Sequence, residues 1–157
     1  MQFVSAAHLD AIIERFDDSE AIYEQMVQQF EDTQPALAAY LFSEDFDAFT
    51  PEEHEFLLML AIIIFTAVSE LRGTLPTISD EQIANAEEAN WARLETLPEK
   101  RLNDRLNVFF DQYLQEDLLA FIEEALADDD DDPIVTKEAR EGMFVVLKTL
   151  TDCLIAD

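Results

Sequence analysis

Two glycines in 157 residues constrain this chain more than any other feature. β-Hairpins and phosphate-cradling loops draw on glycine wherever the backbone needs positive φ or close approach. Gly73 and Gly142 alone cannot supply many such turns. Ala, Leu, Glu and Gln abound instead, and these favour helix. The expected fold class is therefore all-α. One domain over residues 1–157 is the natural organisation at this length, with roughly 70% of the unfolded surface buried on folding. Twelve phenylalanines and an apolar fraction of 49% exclude disorder for want of a core.

Periodicity and punctuation place the helices. A first helix is predicted from about Val4 to Phe16, with Leu9, Ile12, Ile13 and Phe16 on one face. The segment Asp17-Asp18-Ser19 interrupts it. Ser19 can cap a second helix carrying Ile22, Tyr23, Met26, Val27 and Phe30. Pro35 opens a short third helix, since a first helical turn needs no N–H there. Thr50-Pro51-Glu52-Glu53 forms a capping box at the head of a helix near 51–71, which is apolar all round from Phe56 to Val68. Gly73 is expected to end it as a left-handed C-cap.

A second capping box, Ser79 to Gln82, opens a helix with Ile83, Ala86, Trp91 and Leu94. After Pro98 one stripe holds Leu102, Leu106, Phe109 and Tyr113, and a further helix carries Leu118, Leu119, Ile122 and Leu126. Residues 128–135 are expected to form an acidic loop, because five adjacent aspartates repel and Pro133 blocks helix before it. Thr136 caps a terminal helix near 136–155 with Met143, Phe144, Val146, Leu147, Leu150 and Leu154. The expected architecture is a compact bundle of about six to eight helices, with the 51–71 and 136–155 helices most buried.

Charge excludes several functions. The chain has 36 Asp and Glu against 9 Lys and Arg, a formal charge of -27. Nucleic-acid binding needs phosphates neutralised by Lys and Arg, so it is excluded, as is adhesion to an acidic membrane. A basic protein partner is attracted instead. Arg93, Lys100, Arg101 and Arg105 form a small basic cluster, expected in intramolecular pairs, with a self-complementary dimer contact as the rival. The apolar run Phe56–Val68 is shorter than the ~20 residues that span a bilayer. The N-terminus shows no basic region followed by an apolar stretch, and the single cysteine allows no intrachain disulfide. Cytoplasmic location is the expectation.

No motif carries recognisable chemistry. Asp128, Asp130 and Asp132 have the alternating spacing of EF-hand ligands, but Pro133 replaces the turn glycine and Ala139 stands where the bidentate Glu belongs. Neither His8 nor His54 follows a Glu at the three-residue spacing of di-iron bundles. One Cys and two His do not make a zinc site. Cys153, beside Asp152 near the end of the terminal helix, reads as a small core residue. No cofactor and no metal are expected.

The resulting expectation is a non-enzymatic interaction protein that binds a basic partner, as an inhibitor, immunity-type protein or adaptor, with a DNA mimic as the extreme form. The leading surface is Glu123 and Glu124 with Asp128, Asp129, Asp130, Asp131 and Asp132. The second is Glu44, Asp45 and Asp47 with Glu52, Glu53 and Glu55 around the start of the 51–71 helix. Trp91 reads as a packed core aromatic, or else as an interface anchor. The alternative is that acidity adapts the chain to salt or solubility, with a small-ligand or enzymatic site that leaves no mark in the sequence. A homodimer through residual apolar surface fits either reading.

Overall fold

The computed structural model describes residues 3–43, 49–96, 109–110, 113–126 and 135–156. Seven α-helices and no strand occupy them: α1 (Ala6–Asp18), α2 (Glu20–Thr33), α3 (Pro35–Leu41), α4 (Pro51–Arg72), α5 (Asp80–Glu95), α6 (Glu116–Ala125) and α7 (Lys137–Ile155). The all-α bundle expected from the glycine-poor composition is what forms. The segments holding Glu44, Asp45 and Asp47, the basic residues Lys100, Arg101 and Arg105 with Leu102 and Leu106, and the aspartates 128–132 lie outside the described residues.

Local capping chemistry sets most helix starts. Ser5, Ser19, Thr50, Ser79 and Thr136 each accept the N–H three residues on, which satisfies one of the orphan donors of a first turn. The capping boxes of α4 and α5 are both closed, by Glu53 and Gln82. Helix α1 starts at Ala6 rather than Val4 and runs on through Asp18, so Ser19 alone separates it from α2. Val4 is instead buried, its N–H donated to Gln115 Oε1 at 2.9 Å across the fold. Gly73 ends α4 with φ 77° and ψ −131°. The positive φ was expected, but this ψ lies outside the left-handed helical well, in a region that glycine alone populates freely.

Helix α4 is the axis of the bundle. Its 22 residues are long and apolar enough to cross a membrane by length and composition. In the fold every residue from Leu60 to Val68 is buried inside the protein, so α4 is a core helix. Helices α1, α2 and α7 pack against it. Its partners along each neighbour give the directions. His8 near the start of α1 meets Glu70 near the end of α4, while Ile13 and Phe16 line a groove with Phe56 and Leu60, an antiparallel arrangement of α1 on α4. Phe30 meets Phe65 edge-on at 5.1 Å, far along both helices. Helix α5 lies antiparallel on α7, with Cys153 near Gln82 and Thr149 near Asn90.

Helices α4 and α7 run parallel and are tied at both ends. At their starts, Glu53 Oε1 accepts Thr50 N–H at 2.8 Å, and Oε2 accepts the N–H and the hydroxyl of Thr136, both at 3.0 Å. At their ends, Arg72 Nη1 donates to the carbonyls of Leu154 and Ala156 at 2.7 and 2.8 Å. A carboxylate thus sits at two helix N-termini and a guanidinium at two C-termini, as the helix dipoles favour. Gln34, fully buried, plays a similar joining role: its amide donates to Pro76 O and accepts Ile78 N–H, holding the segment before α5 against the α2–α3 corner.

Candidate functional site

Among the described residues, several places combine polar chemistry with burial or concavity. The first is a buried network between α5 and α7. Lys148, 6% exposed, reaches both oxygens of Asp152 at 2.8 Å and Asn90 Oδ1 at 3.4 Å. Asn90 Nδ2 donates to Thr149 Oγ1 and Asp152 Oδ2, both at 3.2 Å, and the Tyr113 hydroxyl donates to Asp152 Oδ1 at 2.9 Å. The rings of Tyr113 and Phe109 face Lys148 Nζ at 4.5 and 5.5 Å, a favourable cation–π arrangement. Burial, with the charge and hydrogen bond of Asp152, drives Tyr113 far above the ordinary phenol value. Each polar group here is held by another, which describes a structural cluster.

The nearby nucleophilic groups are kept protonated. Burial, with the charge of Asp152, pushes the Cys153 thiol up to about 11. It is therefore a thiol at neutral pH, as a core residue should be. Burial and the hydrogen bond to Glu87 likewise raise Tyr40. Tyr40 and Glu87 line a cleft of about 330 Å³ between α3 and α5, floored by small residues such as Ala36, Ala39 and Ala84. Among the described residues no group of three His, Cys, Asp or Glu side chains could hold a metal ion.

The second place is a groove of about 250 Å³ formed by α1, α4 and α6. Helix α6 packs on α1 and α7 rather than along α4. Buried Leu60 and Ile63 of α4 lie in the groove, and half-exposed apolar residues rise around them. These are Ile13 and Phe16 from α1, Phe56 and Met59 from α4, and Phe121 and Ala125 from α6. Asp17 is the one charged residue among those lining it. Further carboxylates flank it. Glu52 falls one turn before Phe56 on the same side of α4, and Glu124 lies three residues beyond Phe121 on the same side of α6. Glu55 acts on Tyr23, whose ring packs edge-on against Phe16 at 5.4 Å.

The sequence-predicted surfaces meet this groove only in part. Glu124 is exposed on its flank. Glu123, two residues from Phe121 and about 200° around α6, faces the other side and is half-buried. Burial, then the charge of Glu124, raises the Glu123 carboxyl. Glu52 and Glu55 are exposed, but Glu53 is 1% exposed and committed to two helix caps, which removes it from any partner surface. Trp91 is half-buried against the core on α5, away from the groove. His8 bonds Glu70, and His54 packs edge-on against Phe49, both within the protein.

The groove residues themselves were missed. The signal was present in α4, a helix apolar on every side: its neighbours cover most of it but leave Met59 38% exposed and Phe56 half-exposed. Four of the bases are engaged elsewhere: Arg15 by Glu70, Arg72 by α7 carbonyls, Arg93 on the Phe109 ring and Lys148 in the buried network. Comparison with known proteins finds no matching family, no matching curated protein and no matching solved structure.

Proposed function

We propose that this chain is a non-enzymatic acidic module that binds a basic protein partner, in the manner of an inhibitor, immunity-type protein or adaptor. One observation carries the reading: an open apolar groove lies among carboxylates, with Asp17 in its wall and Glu52 and Glu124 on its flanks. A field of net charge -27 steers a basic partner inward. Apolar contact in a desolvated centre then supplies residence. The test is retention of native lysate proteins on the immobilised chain at about 50 mM and about 500 mM salt, where the Debye length falls severalfold. A basic protein retained at low salt and released at high salt is expected; no salt-sensitive basic protein would sink the reading.

A second reading, salt or solubility adaptation, is favoured by a different observation. Exposed carboxylates also coat helices that do not line the groove, such as Glu20, Glu24, Glu31 and Asp32 on α2 and Asp80, Glu81 and Glu88 on α5. Screening by salt relieves self-repulsion in such a coat. Thermal unfolding at low ionic strength and in about 1 M salt decides it: a large gain in Tm with salt supports adaptation, and an unchanged Tm removes it.

A further inference from the structure

We infer that the groove between α4 and α6 is the seat of an amphipathic helix from the basic partner, its apolar face lying on Phe56, Met59 and Phe121 above buried Leu60 and Ile63, and its Lys or Arg side chains reaching the flanking carboxylates. This rests on reading the chain as a module for a basic protein, and it adds the form of the segment and where it binds.

Length is the first argument. Along α4 the groove runs from Phe56 to Ile63, about 10 Å at the helical rise. Two turns of a docked helix present apolar residues at i, i+3 or i+4, and i+7 over that same distance. Backbone chemistry is the second. An extended peptide gains affinity by pairing with an open sheet edge. The groove walls are helices, and the described residues contain no strand to offer an edge. Recognition there is by side chains, which a helix presents on one face.

Charge selects among occupants. A second copy of this chain would bring Asp17, Glu52 and Glu124 against their own like, in a pair already carrying -27 each. Like charges set together across an interface oppose association. An acidic lipid surface meets the same repulsion. A helix with a Lys or Arg flank is attracted by the charges that repel the other two.

The test uses the full chain and fluorescent peptides of about 15 residues, long enough to form a helix on binding. One carries Leu at i, i+3 and i+7 with Lys on the polar face; a second has the same composition with Leu scattered around the helix; a third replaces Lys with Glu. Anisotropy is expected to show the first binding about tenfold or more tightly than either other. Met59→Asp, at an exposed position, is expected to weaken that binding about tenfold although it adds a negative charge. Ala125→Gln should weaken it independently, by filling the groove with an uncharged side chain. Circular dichroism confirms that both variants fold.

Equal binding of the first two peptides, unchanged by either variant, overturns the groove while leaving the basic-partner reading standing. Failure of every Lys peptide at low salt overturns both. A dimer of the chain alone in sedimentation, dispersed by Met59→Asp, also overturns the inference, because the occupant is then a second copy.

Discussion

Glu53 and Thr136 lie 83 residues apart in the chain, and one carboxylate oxygen of Glu53 accepts both the N–H and the hydroxyl of Thr136 at 3.0 Å. The other oxygen closes the capping box of α4 on Thr50. A single buried charge therefore completes the starts of the two most buried helices and aligns them in parallel. Thr136 Oγ1 in turn accepts Ala139 N–H at 3.3 Å, so the α7 cap depends on Glu53 for its orientation.

Removing either partner should leave buried donors or a buried charge unmatched. Glu53→Ala is expected to cost about 2–4 kcal/mol of stability, because several charge-assisted hydrogen bonds go at once. Thr136→Val should cost about 1–2 kcal/mol as a lost cap. A double-mutant cycle by urea denaturation should give a coupling of about 1 kcal/mol or more. Additive losses would show the two caps to be independent.

Acidity should act through Glu53 and Glu123 in opposite directions. Burial alone would raise Glu53, but the hydrogen bonds from Thr50 and Thr136 outweigh it and hold the carboxyl below its ordinary 4.5. Its stabilisation is therefore complete above pH 4.5 and lost as pH falls through the lower folded value. Glu123 is raised, so its ionisation disfavours the folded state at neutral pH, and that cost fades as pH falls from its raised value to 4.5. Stability measured against pH should pass through a mildly acidic maximum. Glu53→Gln should flatten the limb below 4.5, and Glu123→Gln should flatten the decline toward neutral pH. Unchanged limbs in the variants would assign them to other carboxylates.

The Lys148–Asp152 pair should be costly to break. Lys148→Met keeps the stem but strips Asp152 of its two 2.8 Å contacts and the rings of Phe109 and Tyr113 of their cation. Asp152 keeps Asn90 and Tyr113 as donors and has some access to water. A loss of about 2–3 kcal/mol is expected, at the lower end for a broken buried pair. A loss under about 0.5 kcal/mol would place the pair with ordinary surface bridges.

Cys153 should be inert in the folded chain. With the thiol pushed up to about 11 and the residue buried, reaction with a maleimide at pH 8 is expected to be about 100-fold or more slower than in urea-unfolded chain. Comparable rates would mean that α7 opens readily near its end.

Gly73 should tolerate no other residue cheaply. A Cβ there meets open space, so the cost of Gly73→Ala is purely that of the backbone at φ 77°. About 1–3 kcal/mol is expected by chemical denaturation. A neutral result would show that the turn after α4 can adopt another conformation at no cost.

Much of the fold was legible because its signals are local. Thr50, Ser79 and Thr136 announce helix starts through contacts three residues long, and the stripes of α6 and α7 announce their buried faces. Where the reading slipped, a distant partner was responsible. Val4 looked helical but is drawn to Gln115, 111 residues away. Glu53 was expected to close the capping box of α4 and does so, but its burial and its second role in capping α7 come from Thr136, which the sequence did not show. Glu123 and Glu124 looked like one patch for a different, local reason: the step of about 100° between adjacent helical residues was overlooked, and it sends them to different sides of α6.

Composition and spacing alone determined that this protein is helical, where its main helices begin, many of the residues that make its core and that it carries a formal charge of -27. Only the tertiary structure decided that α4 and α7 run parallel, that one carboxylate caps both, and that α4 and α6 leave an apolar groove among acids. The physical reason is range. Caps and amphipathic stripes are set by neighbours within a turn or two, whereas the meeting of faces depends on how rigid helices fill space together, which no short stretch of chain encodes.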